Sequence, residues 1–129
     1  MGILIAPNPY RMQAEYPTRE ASDEMLQAFM AQRLTNPVDP NDTMYQFDAS
    51  RNYNPAPQLS NITVPVLWIN SADDFLNPPG LGDPEELASR MPMTRFMLIP
   101  ASEETRGHGT HSVLRFWKHD LERFLAEHP

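Results

Sequence analysis

Two short stretches hold the residue types that proton transfer needs. Asp73 and Asp74 follow the apolar run Val64-Pro65-Val66-Leu67-Trp68-Ile69, and Gly107-His108-Gly109-Thr110-His111 follows a second run, Arg95-Phe96-Met97-Leu98-Ile99. A carboxylate beside an imidazole accepts from one ring nitrogen, fixes the tautomer, and leaves the other nitrogen to take a proton from a nucleophile. In open α/β sheets such groups gather beyond the carboxyl ends of strands. An acid after one strand and a histidine after the next therefore read as the second half of a nucleophile, base and acid arrangement. Each motif also has a plainer reading: an Asp-Asp pair can make a turn or a helix cap, and a histidine among glycines can simply be solvated. It is their joint placement that argues for chemistry.

Within each motif there is a choice. Asp73 and Asp74 stand equal on position alone, whereas His108 is favoured over His111 because glycines on both sides permit a sharp loop. His111 is a candidate supporting or substrate-side group. His119 and His128 lie on or after the final helix and carry no signal. No third ligand joins either pair at a familiar metal spacing, so neither a metal nor a cofactor is expected.

The elements that must position these residues follow from local pattern. The Val64–Ser71 run is rich in β-branched and aromatic residues, which suits a strand buried on both faces of a parallel sheet. Asn77-Pro78-Pro79 ends it. Asp83-Pro84-Glu85-Glu86 is a well-formed start for a helix over about 84–91, with a cap, a first-position proline and acids near the positive dipole end. Arg95–Ile99 is the next strand. A strand, helix and strand in this order form a crossover unit, which makes the two strands parallel and sets both carboxyl ends on one edge. At the usual strand spacing the two loops then lie within about 5 to 10 Å of each other. Ser112 caps a final helix to about Glu127, whose stripe of Val113, Leu114, Trp117, Leu121, Phe124 and Leu125 should pack on the sheet.

Upstream, residues 1–19 carry Pro7, Pro9 and Pro17 and read as an extended connector. A helix is expected over about 20–34, with Met25, Leu26, Phe29, Met30 and Leu34 at helical spacing as core or as a lid over a pocket. Thr35-Asn36-Pro37 stops it. Asp39-Pro40-Asn41-Asp42 caps a short helix at about 43–50. The stretch 51–60 is proline-punctuated loop, anchored at its end by Leu59 and Ile62.

Composition narrows the partners. The chain has 129 residues, 17 acidic against 10 basic, and a net charge of -7. No Lys/Arg cluster could follow a phosphate backbone, so nucleic acid is not an expected partner. The absence of cysteine fits a cytoplasmic protein without excluding an exported one. Ile3-Leu4-Ile5-Ala6 is too short for a signal core or a membrane span, so no membrane is expected. Met1-Gly2 invites a myristoylation reading, but Ala6 stands where that motif wants Ser or Thr. The 14 prolines against 5 glycines limit regular structure, chiefly before residue 66.

One part of the constellation is missing. No serine here has the flanking glycines of a Gly-x-Ser-x-Gly elbow, and no glycine-rich oxyanion loop precedes the acid.

These residues resemble the C-terminal third of α/β-hydrolases of the homoserine O-acetyltransferase type, including their esterase-like members. Tyr16-Pro17-Thr18-Arg19-Glu20-Ala21 is similar to the family's entry to its lid, residues 41–51 to the helix that follows, and Ile62–Pro79 to its acid-bearing strand and loop. The family's Asp-x-Leu-x-Pro-Pro pattern falls on Asp74-Phe75-Leu76-Asn77-Pro78-Pro79, and its Gly-His pair on Gly107-His108. The resemblance implies an α/β fold in which Asp74 is the catalytic acid and His108 the base. It divides the chain into a partial lid and connector over 1–60 and a C-terminal βαβα portion over 61–129. It implies a fragment that is inactive without a nucleophile-bearing half, and an ester or acyl donor as the small-molecule substrate of the whole. The acetyltransferases usually carry an aromatic where Asn77 stands and an Asp where Gly109 stands, which tilts the reading toward an esterase-like member. A non-catalytic module that binds through a free sheet edge is the reading from another class.

Overall fold

The computed structural model describes residues 8–35 and 37–129. Expectations for Ile3–Ala6, for Met1-Gly2, for Pro7 and for Asn36 lie outside those residues. The chain divides into two units, one made of residues up to 12 with 56–129 and the other of 13–55.

In the first unit the architecture is set by a parallel strand pair. β1 (Val66–Ser71) and β2 (Thr94–Ile99) run side by side in strict register, Val66 opposite Thr94 and Ser71 opposite Ile99. Both therefore end at the same level on the same edge. Pro65 stands just before β1, where a missing N–H costs the ladder nothing. Trp68 and Phe96 are opposite each other and meet edge to face, with ring centroids 5.5 Å apart. Between the strands comes the short helix α4 (Pro84–Ser89), capped by Asp83, whose carboxylate accepts from the Glu86 N–H at 3.0 Å. The helix returns the chain to β2 through Met91, which is buried with Ala88, Ile99 and Leu59.

Two expectations for this unit change. The apolar character of β1 predicts burial on both faces, yet only Ser71 at its end is buried and the rest is half-covered. The last helix is also shorter than its stripe predicts: residues 107–112 and 114–116 form 3₁₀ turns, and α5 begins at Lys118 and ends at Glu127. None of its residues is buried. Arg95 of β2 reaches Glu127 at 2.6 Å, an exposed pair that adds little to stability.

The N-terminal connector is not extended throughout. Asn8 and Pro9 act as cap and first helical residue of α1 (Pro9–Glu15), the role proline plays best in a helix. In the second unit α2 (Arg19–Thr35) is capped by Thr18, whose hydroxyl accepts from Ala21 N–H. Its apolar stripe splits: Met25 and Phe29 are half-buried, while Leu26, Met30 and Leu34 face solvent. α3 (Pro40–Asp48) starts earlier than its pattern suggests, because Asp39 itself is the cap and accepts from Asn41 N–H at 2.8 Å.

Among the described residues no helix is long and apolar enough to cross a membrane.

Candidate active site

The loops beyond β1 and β2 meet. After Ser71 the chain turns so that Asp74 N–H donates to the Ser71 carbonyl, and the Asp74 side chain folds back over its own loop. Its Oδ1 accepts from the backbone N–H groups of Leu76 at 2.8 Å and Asn77 at 3.0 Å. Asn70 ties the far end of this loop to the strand, its amide donating to the Asn77 carbonyl at 3.0 Å. The carboxylate is thus fixed before it meets any partner.

Its other oxygen, Oδ2, lies 3.0 Å from His108 Nδ1. Burial pushes the Asp74 carboxyl up. The Asn77 N–H, the His108 ring, the Leu76 N–H and the charge on His108 together outweigh that, and the net result lies below the ordinary aspartate range. An ionised Asp74 can only accept, so His108 Nδ1 carries a proton, and in the neutral form of the ring Nε2 presents its lone pair. The His108 side chain is about a third exposed, against 7% for Asp74. The pair therefore has a buried acid end and an open base end.

A cavity of about 330 Å³ adjoins it, lined by Trp68, Ile69, Asn70, Ser71, Asp74, Asn77, Ile99, His108 and His111. His111 donates from Nδ1 to the His108 carbonyl, and its ring sits edge to face with that of His108, centroids 5.1 Å apart. Trp117 Nε1–H in turn holds the His111 carbonyl at 3.0 Å. Among the described residues no hydroxyl hydrogen-bonds to the His108 ring, and no cluster of three or more His, Asp or Glu side chains could hold a metal ion.

Beneath the pair lies a buried polar network that pattern reading passed over. Asp73 is buried, and its Oδ1 accepts from the Ser71 hydroxyl. Its Oδ2 accepts from the Thr105 hydroxyl at 2.8 Å and the Gly107 N–H at 3.0 Å. Asn8, 1% exposed, directs its amide to Thr105 Oγ1 at 2.7 Å and to the Thr105 carbonyl at 2.8 Å, while its own oxygen caps α1. Thr110, fully buried, accepts from Arg106 N–H at 2.8 Å and closes the turn that carries His108. The Asn8-Pro9 dipeptide offers a capping signal, but nothing local to Thr105 announces its role.

No family model and no solved structure matches the chain. Two curated proteins do, one from each of two strains of Mycobacterium tuberculosis, both named "Putative non-heme bromoperoxidase BpoC". Each is 31% identical over 99 residues, covering 65% of this chain and 37% of the relative. The likeness supports an α/β-hydrolase. It reaches no further, and in particular not to the homoserine O-acetyltransferase-like family within that fold. The chain spans little more than a third of the length of these relatives. Helices with two parallel strands are compatible with an α/β-hydrolase fold.

Proposed function

We propose that Asp74 and His108 are the acid and base of a Ser-His-Asp triad in an α/β-hydrolase esterase or acyltransferase. The single observation that carries this reading is the 3.0 Å contact between Asp74 Oδ2 and His108 Nδ1 beyond two parallel strand ends. Asp74 orients the ring and stabilises the imidazolium, and His108 Nε2 takes the proton of a serine as it attacks an ester or thioester carbonyl, then returns it to the leaving group. The nucleophile comes from a segment carrying a Gly-x-Ser-x-Gly elbow, a motif absent from these residues. The chain by itself therefore turns over no substrate. The finer assignment, a homoserine O-acetyltransferase-like member of esterase character, rests on Asp74–Pro79 and Gly107-His108 alone.

The test has two arms. The purified chain is assayed with activated acyl esters and should be inert; turnover abolished by His108→Ala would overturn the missing nucleophile. The chain is then co-expressed with an elbow-bearing segment, and restored hydrolysis should fall about 10⁴-fold in Asp74→Asn. Binding without turnover would favour a non-catalytic module. The name of the relatives supports a second reading, haem-free bromination with peroxide. Activity that requires both bromide and peroxide would select it.

A further inference from the structure

We propose that Asp73 is the positioning residue for His108, acting through the backbone of the loop and not through the ring; this rests on the reading of His108 as the base. The adjacent residues 73–74 and 107–108 are joined by two bridges laid side by side. Asp74 Oδ2 takes the His108 ring at 3.0 Å, and Asp73 Oδ2 takes the Gly107 N–H at 3.0 Å. The ring contact alone fixes a point on the imidazole and leaves the loop beneath it tied only by bonds within its own turn. The second fixes the peptide immediately before the histidine, so the side-chain torsions of His108 start from a reference set by the end of β1.

Three features mark Asp73 as more than a solvated turn residue. It is buried, and its partners among the described residues are the neutral groups of Ser71, Thr105 and Gly107, with no cation beside it. Burying a carboxyl among neutral donors alone is costly, and what the loop gains is an acceptor with two oxygens, one for the Ser71 hydroxyl and one for the Thr105 hydroxyl and the Gly107 N–H. Gly107 also has φ 56°, one of several conformations open to glycine, and the bond from its N–H to Asp73 selects among them. Finally, Thr105 Oγ1 passes the anchorage on to Asn8, so the carboxylate is itself braced from a third segment.

The test is nuclear magnetic resonance on the full chain at a pH where His108 is neutral. In the native protein the proton should sit on Nδ1 of His108, and the Gly107 amide should exchange slowly. In Asp73→Asn the Gly107 amide should exchange roughly tenfold faster or more, the scale of one hydrogen bond to a charged acceptor, and part of the His108 population should move its proton to Nε2. Asp74→Asn is the contrast: it should release the tautomer and leave Gly107 protected. A folded Asp73→Asn whose His108 tautomer is unchanged overturns the proposal, whatever happens at Gly107. Where that variant does not fold, the native chain decides. On warming, the His108 Nδ1 proton and the Gly107 amide should lose protection together, and a Gly107 amide that opens alone overturns it. These readouts need no turnover, so they can fail while the catalytic reading stands, and restoration of hydrolysis by an elbow-bearing segment can fail while they stand.

Discussion

At the scale of single residues, the acid and its partner have opposite surroundings. Asp74 is held ionised by donors that lose their purpose when it is protonated, so its carboxyl lies below the ordinary range in the folded chain. A group depressed on folding contributes stability above its unfolded value, about 3.9, and that contribution disappears as pH falls through the lower folded one. Thermal melts should therefore weaken as pH drops from about 4, and Asp74→Asn should flatten that dependence. Asn8 leads to a different expectation. It caps α1 and satisfies buried acceptors on Thr105, so Asn8→Ala removes a cap and strands polar groups at once. Urea titration should register a loss of roughly 1.5–5 kcal/mol, from about 0.5–2 for the cap and 1–3 for the stranded groups. The Asp73-Asp74 pair and His108 stand out in the sequence because they lie in the polar loops after strand-like runs, and the choice of Asp74 within its pair comes from the resemblance over Asp74–Pro79. Asn8 does not, since its partner lies 97 residues away.

At the scale of elements, what sequence conveys well is anything with a local cause. The β-branched and aromatic residues of β1 and β2, the capping carboxylates of Asp39 and Asp83, and the spacing of α2 all act within a few residues, and those elements appear within a turn of where they are expected. The approach to α5 fails for the complementary reason. Its apolar spacing continues back to Val113, but the buried hydroxyl of Thr110 and the left-handed Gly107 tighten residues 107–116 into 3₁₀ turns. That tightening holds His108 and His111 at the cavity. Gly107→Ala should cost about 1–2 kcal/mol by denaturant titration, from left-handed strain alone. Thr110→Val should cost about 1–3 kcal/mol by leaving the Arg106 N–H without its acceptor.

At the scale of the whole molecule, the best-buried of the described residues are polar. Asn8, Ser71, Asp73, Asp74, Thr105 and Thr110 outnumber the buried apolar residues Leu59, Ala88, Met91 and Ile99. Among the described residues the most deeply buried group is thus the polar cluster at the candidate site. In the second unit α2 and α3 have no buried residue at all. Native-state hydrogen exchange should reflect this order, with amides of α2 and α3 exchanging well before those of β1, β2 and the Thr105–Thr110 turn. Uniform protection across both units would contradict it. The large apolar side chains left at the surface, Leu34 and Leu81 among them, should also bind a hydrophobic dye at neutral pH.

The way the Asp74 carboxylate is gripped leaves room for change beside it. Leu76 and Asn77 contribute main-chain N–H groups to that grip, which any residue except proline supplies. Natural variation could therefore rewrite the side chains at 76 and 77, one of which lines the cavity, and alter which molecules are admitted while the acid keeps its aim.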